Sequence, residues 1–488
     1  MFSCDLFDGK NRVVEYVESL PGNLDPALSD NVYSANIYSN IYESLVQLDT
    51  DGFTIRPGLA RNWRVENNLT RYVFNLEPGR FFHDGSPVNA DAVVYSFLRQ
   101  IRLNKSAPLF NIIQNVESID SLQIAINLEY PYTQFLYSLT SPVGLKVISK
   151  KALQKSGDSI IKEPLGSGPF YLSEWKTDSH ITLKKYPHFP KFPGDVEILI
   201  FKQYADYSEL VKNFKWNEFD VFYSIPGFYI DRLKWLGRIE YKIGAPSTVV
   251  FLGFNCSAEP LNDIGVRKAI LNSINRTKLV NHILRGNSVV AQGPLPSVFA
   301  FAKEQSAKYL YDPEPEDLRT IGLLKENLNL KLFFVSRFMT RTTILEALEK
   351  EFQKIGIKLE MIPFESYAAL NQACRGDSAQ LFLNNWQADV LGDPENFLYS
   401  LFYSSSDYNF FQYMNPRVDR WLDSARVEPA WEKRQILYQK IVEQVIDDTP
   451  AVFLYYTIPV YAYNKQKIKS LPVNPYGIIN YQQVLLND

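Results

Sequence analysis

"LNLKLFFV" (328–335), "RTTILEALEKEFQKIG" (341–356), "IKLEMIPF" (357–364), "ESYAALNQACRG" (365–376) and "AQLFLNNW" (379–386) follow one another and decide the fold. The first is a short β-like run. The second has Leu345, Leu348, Phe352 and Ile355 at helical spacing, with Gly356 as its stop. The third alternates as a strand, the fourth is a short helix ending on Gly376, and the fifth is again a strand. Such alternation predicts a parallel α/β sheet. Ligands of open parallel sheets bind beyond the carboxyl ends of the strands. Arg337 follows the first strand and Asp389, in "WQADVLGDPENFL" (386–398), follows the third. A cation and an anion on one rim suit a small zwitterion; solvated loop charges are the plainer alternative.

Composition bounds the rest. At 488 residues the chain exceeds one core, and about 150 residues per domain suggests roughly three domains. With 46% hydrophobic and 22% charged residues it reads as a globular protein. A net charge of −3 offers no basic field for nucleic acid or an anionic membrane. The 30 Tyr, 32 Phe and 7 Trp belong either to large cores or to a cleft lined with amphipathic rings. His83, His180, His188 and His282 stand at no metal-ligand spacing, so neither a metal site nor any cofactor is expected. Cys4, Cys256 and Cys374 form no CxxC pair, and the latter two sit in apolar contexts as buried thiols. No run of 18 apolar residues spans a membrane. "MFSC" at the start is either an ordinary beginning or the end of a lipoprotein signal, with Cys4 as the lipidated residue.

Other helices read clearly. "NADAVVYSFLRQI" (89–101) puts Val93, Val94, Phe97, Leu98 and Ile101 on one face, and "VRKAILNSINRTKLVNHIL" (266–284) reads as a second helix. His83 and Asp84 in "FFHDGSPV" are expected to form a turn, and Arg267 in "VRKAI" an ion pair near a hinge. Asp393 and Glu395 in "GDPENF" read as the turn and cap of the next helix.

Several segments, in order, resemble one family. They are "NLDPALSDNVYSANIYSNIYESLVQLDTDG" (23–52), "PGLARNWRV" (57–65), "YVFNLEPGRFFHDGSPVNADAVVYSFLR" (72–99), "GSGPFYLSEW" (166–175), "FLGFN" (251–255), "NDIGVRKAI" (262–270), "WQADVLGDPENFLYSLF" (386–402) and "NPRVDRWLDSAR" (415–426). Together they resemble the family 5 extracellular solute-binding proteins of ABC importers, of the oligopeptide- and dipeptide-binding type. The resemblance implies a two-lobed α/β fold like the class II periplasmic binding proteins, with an extra α/β domain inserted in lobe I. Carried over, lobe I is 1–40, 165–258 and 455–488, the inserted domain 41–164 and lobe II 259–454, with hinge crossings near 259 and 455. It implies short peptides as ligands, held extended in an inter-lobe cleft, and a membrane ABC permease as partner.

Residue by residue, Asp389 matches the aspartate that receives a peptide's α-ammonium, with Trp386 as cleft wall and Asn385 and Gln387 beside it. Arg337, with Arg341 as rival, matches the arginine for the α-carboxylate. Val32 matches a residue whose backbone pairs with the ligand, and Ser224, Tyr455 and Tyr456 match lobe-I cleft positions. Closing a cleft over an unpaired carboxylate costs several kcal/mol, roughly, which a ligand ammonium offsets. The resemblance further implies a monomer outside the cytoplasm, in periplasm or cell envelope, touching the membrane only through lipid on Cys4. Alternatives are a binding protein for another amine-bearing solute, such as a cell-wall peptide fragment, and a surface or interaction protein that has kept the fold. An enzyme is not expected, since HExxH, GxSxG and Walker-type loops are absent.

Overall fold

Leu345, Leu348, Phe352 and Ile355 are all buried, so the face read from their spacing is the face that packs. Their helix runs Met339–Lys354, and Gly356 follows it with a φ of 78°, a left-handed conformation open to a residue without Cβ. The next strand, Ile357–Phe364, lies parallel to Leu328–Val335 in register Leu328↔Ile357 to Val335↔Phe364. Ser366 then caps Tyr367–Cys374 by accepting from the Ala369 amide. Leu381–Gln387 returns parallel to Leu328–Val335, pairing Leu332↔Leu381 to Phe334↔Leu383.

The computed structural model describes residues 11–17, 20–28, 35–49, 51–52, 54–103, 108–141, 144–156, 163–177, 179–204, 219–222, 237–284, 288–299, 328–336, 339–376, 379–387, 393–474 and 477–487. The chain divides into two compact units and changes unit at Gly244–Ala245 and Ile458–Pro459. The second unit holds a six-stranded sheet ordered Ser288–Val290, Ala451–Thr457, Thr248–Phe254, Leu381–Gln387, Leu328–Val335, Ile357–Phe364. It is mixed, because Thr248–Phe254 runs antiparallel to both its neighbours. One side carries an aliphatic core that includes Leu252, Leu330, Leu348 and Leu383. Phe251, Phe382, Phe411 and Phe453 form an aromatic cluster with ring centroids 5.3–6.4 Å apart.

The first unit carries a seven-stranded mixed sheet in which Arg12–Val17 lies between Val221–Phe222 and Ile198–Gln203. It also carries a four-stranded antiparallel sheet, ordered Ala60–Glu66, Arg71–Leu76, Gln123–Leu128, Ile113–Asp120, with its own core.

Four readings need correction. The boundary expected near 259 falls at 244–245, because Thr248–Phe254 is bonded on both sides into the second unit's sheet. The helix Ala90–Leu103 buries Val93 and Phe97 as expected, but Leu98 is 44% exposed and Arg99 and Gln100 turn inward. Arg99 finds Asp25, and the Gln100 amide finds the Lys146 carbonyl at 2.7 Å. The helix expected over 266–284 stops at Ser273 and restarts behind Asn275, which caps the Lys278 amide. Arg276 is drawn inward there to donate to the carbonyls of Ala291 (2.7 Å) and Phe453 (3.2 Å). Arg267 makes no ion pair among the described residues: it donates to the carbonyls of Leu261, Asp448 and Thr449 at 2.7–2.9 Å, closing the end of Trp431–Asp448.

Glu15 lies in the middle of the seven-stranded sheet, fully buried. It accepts from Tyr481 Oη at 2.6 Å and Asn36 Nδ2 at 3.2 Å. Burial pushes its pKa up to about 7, against these two hydrogen bonds. The folded state therefore holds this proton more tightly than the unfolded chain, and its stabilising effect is lost as pH rises from 4.5 through 7. Glu15→Gln keeps an acceptor for Tyr481 without the charge. It should match the parent in urea unfolding at pH 4.5 and exceed it by about 2–3 kcal/mol at pH 8.5. Equal stability of the two proteins at pH 8.5 would refute this account.

Candidate functional site

Leu381–Gln387 leaves the core as it runs: residues 381–384 are buried and 385–387 half-buried. Its last three residues lie in rows across the sheet. Gln387 stands opposite Thr248, which stands opposite Thr457, which stands opposite Ser288. Trp386, Val249, Tyr456 and Val289 form the next row, and Asn385, Val250, Tyr455 and Val290 the third. Neighbouring strands are about 4.8 Å apart, so Trp386 and Tyr456 are about 10 Å apart along their row. Five of the expected site residues thus share one end of one sheet, the end at which Leu328–Val335 and Ile357–Phe364 also terminate.

Their surroundings differ. The Trp386 ring meets Tyr408 edge-on at 5.1 Å, and its buried indole Nε1 has no partner among the described residues. A buried donor without an acceptor is costly, and a ligand carbonyl or carboxylate would relieve it. Asn385 donates from Nδ2 to the Tyr367 hydroxyl, and Asn384 from Nδ2 to Asn371 Oδ1 at 2.9 Å. These bonds tie the strand end to the helix Tyr367–Cys374. Tyr456 is buried: its hydroxyl donates to the Gly293 carbonyl at 3.0 Å and accepts from the Gln292 amide at 3.1 Å. Tyr455 packs into the aliphatic core.

Asp389, Arg337, Val32, Ser224 and Cys4 lie outside the described residues, as does the Arg341 side chain. Leu328–Val335 and Leu381–Gln387 do run parallel, so Arg337 and Asp389 follow strands that end on the same side.

Where the chain is next described, Asp393 is locked. Its Oδ1 accepts from Tyr438 Oη at 2.6 Å and the Glu395 amide at 3.0 Å, and its Oδ2 from Arg434 Nε at 3.1 Å. Burial pushes its pKa up to about 6, while Arg434 and Tyr438 hold it down. Glu395 starts the helix Glu395–Phe402 and pairs with Arg426 at 3.1 Å. The expected turn is present, as an anchor in the core, but the expected cap is not: Pro394 stands at the N-cap without a side-chain hydrogen bond, and Glu395 is spent on Arg426. Tyr367 and Tyr408, which meet the strand, and Arg434 and Tyr438, which hold Asp393, escape sequence reasoning, because each arrives only through the tertiary fold.

Other expectations fall away from this end of the sheet. Asp84 Oδ1 accepts from the Ser86 amide, as a turn requires. Cys374 is buried and Cys256 half-buried, and burial pushes their thiols up to about 12 and about 11. Among the described residues no group of three or more His, Cys, Asp or Glu side chains could hold a metal ion. No described helix is long and apolar enough to cross a membrane.

Comparison with known proteins agrees with this architecture. The model of the bacterial extracellular solute-binding proteins, family 5 (middle), matches residues 54–409. The dipeptide-binding protein of Escherichia coli (strain K12) is 25% identical over 503 residues, covering 96% of this chain and 93% of the relative. Among solved structures, the DppA periplasmic binding protein of Helicobacter pylori, in complex with peptide STSA, superposes with a TM-score of 0.84 at 23% identity over 98% of both chains. NikA of Brucella suis, in complex with Fe(III)-EDTA, has a TM-score of 0.88 at 20% identity over 98% of this chain and 100% of its own. The chain therefore belongs to the family 5 bacterial extracellular solute-binding proteins, the solute-capturing components of ABC importers.

Proposed function

We propose that this protein captures short peptides outside the cytoplasm and delivers them to an ABC permease. The observation that carries the proposal is the set of rows at the sheet end. They set Trp386, whose indole N–H has no partner among the described residues, at the end of the sheet where parallel strands terminate, and in the sequence Asp389 follows three residues later. In this reading Asp389 takes the ligand's α-ammonium, and Arg337 or Arg341 takes a carboxylate. Backbone groups contributed by Val32 and polar groups near Ser224, Asn385 and Gln387 complete the grip. Water-filled side-chain pockets leave residue preference broad. The dipeptide-binding relative and the STSA complex support a peptide.

The same carboxylate would suit another amine-bearing solute, and the Fe(III)-EDTA complex of a protein with this fold keeps that second reading in view. The protein acts as a monomer without catalysis, held at the membrane by lipid on Cys4. Native mass spectrometry of the purified full chain tests the ligand. A bound mass series matching di- to pentapeptides is expected. A single non-peptide mass would replace the peptide by another solute, and no peptide-induced rise in melting temperature would refute capture.

A further inference from the structure

His83 sits in a hairpin between the four-stranded and the seven-stranded sheets of the first unit. The hairpin closes through the Phe82 amide to the Ser86 carbonyl and the Gly85 amide to the Phe82 carbonyl, both at 2.9 Å. Gly85 turns it with a φ of 77°. The His83 amide then donates to the Gly166 carbonyl at 2.9 Å, and its ring Nε2 meets the Gly168 carbonyl at 3.0 Å. Tyr186 donates its hydroxyl to the Phe82 carbonyl at 2.9 Å, and Ser149 donates to Asp84 Oδ2 at 2.8 Å. The segment thus held leads into Phe170–Lys176 of the seven-stranded sheet. It fits tightly: a Cβ on Gly166 would stand 1.9 Å from the Ile41 carbonyl oxygen, and one on Gly168 2.6 Å from that of Asn40.

The hydrogen bonds assign the ring. A carbonyl only accepts, so Nε2 carries the proton and Nδ1 is bare. That Nδ1 is buried and has no partner among the described residues. A second proton there would create an N–H with nothing to receive it. Asp84, the neighbouring carboxylate, is committed to the Ser86 amide and the Ser149 hydroxyl. The other groups around the ring are Tyr171 and Tyr186, with centroids at 6.2 and 4.9 Å, and His188 packs on Tyr186. Farther out stand the Arg80–Glu43 pair, Lys146 bonded to Ser44, and Lys151 beside Asp84.

We propose that His83 is an acid-sensitive latch: protonation of Nδ1 frees the hairpin from the 165–169 segment and loosens the four-stranded sheet from the seven-stranded one. Burial already holds the ring's pKa down at about 4, against the Gly168 hydrogen bond and the Asp84 charge, which raise it. An opened latch returns the ring to its ordinary value of 6.5. Between these values the open form binds the proton better, so opening is favoured as pH falls from 6.5 to 4, by roughly 50-fold between pH 7 and pH 4.5.

Native-state hydrogen exchange on the full chain tests this. The readout is the opening constants of the His83, Ser149, Gly168 and Tyr186 amides at pH 7 and 4.5, corrected for intrinsic exchange and referred to Thr248–Phe254. In the parent protein they should rise roughly 50-fold, and in His83→Gln, whose amide still donates to Gly168, by less than about threefold. An undiminished rise in His83→Gln, or none in the parent, overturns the latch. If His83→Gln fails to fold, NMR titration of the parent ring decides: a midpoint near 4 supports the latch, and one above about 6 overturns it.

Discussion

Asp389→Ala should cost peptide binding at least about 30-fold in Kd, because truncating one partner of a buried charge pair removes about 2–5 kcal/mol. The lost energy is mainly that of a ligand ammonium left without a counter-charge, so Asp389→Asn should lose nearly as much. Isothermal titration with a dipeptide or tripeptide measures it. The melting temperature of the unliganded variant separates site from fold: damage to the fold lowers it, whereas loss of the site removes only the ligand-induced rise. Arg337→Ala and Arg341→Ala, tested on peptides with a free or amidated C-terminus, assign the carboxylate partner. The correct variant loses the preference for the free acid. Unchanged affinity in Asp389→Ala would remove the ammonium site from the proposal.

Arg99→Ala should destabilise the first unit by about 3–5 kcal/mol, the cost of stripping one partner from a buried ion pair. Arg99 and Asp25 are 2% and 0% exposed, and two guanidinium nitrogens reach the two carboxylate oxygens at 3.1 and 2.7 Å. Asp25 Oδ1 also accepts from the Ala27 amide at 3.0 Å, so the pair fixes a turn as well as a helix. The double change Asp25→Leu with Arg99→Met should recover most of the loss, since an apolar pair carries no buried charge. Urea unfolding of the four proteins gives the coupling. A loss below about 1 kcal/mol in Arg99→Ala would mean that water or another cation replaces the arginine.

The strands Leu328–Val335 and Ile357–Phe364 stand where their patterns put them, and so do the buried positions of the helix between them. Local spacing sufficed there, because one face of each element is buried and the other wet. Thr248–Phe254 and Ala451–Thr457 are buried at nearly every position, so they show no alternation from which a direction could be read. Their pairing joins residues about 200 apart, beyond any local signal. Arg276 and Arg267 were illegible for a related reason: each is spent on carbonyls far along the chain. At the site, Arg337 and Asp389 were singled out from their place after a strand and lie outside the described residues, whereas Trp386 and Gln387 came from the family resemblance. Tyr455 and Tyr456 came from the family resemblance alone, as lobe-I positions; the structure corrects this, because their strand is bonded into the second unit's sheet, beside Trp386 and Gln387.

Ala451–Thr457 and Val460–Asn464 are consecutive in the chain, yet each is an interior strand of a different sheet. The first lies between Ser288–Val290 and Thr248–Phe254, the second between Ile239–Ile243 and Val221–Phe222. Neither sheet is complete without this one segment, and pairings over such separations form slowly. A single break between Ala451 and Asn464 would therefore strip an interior strand from both sheets at once.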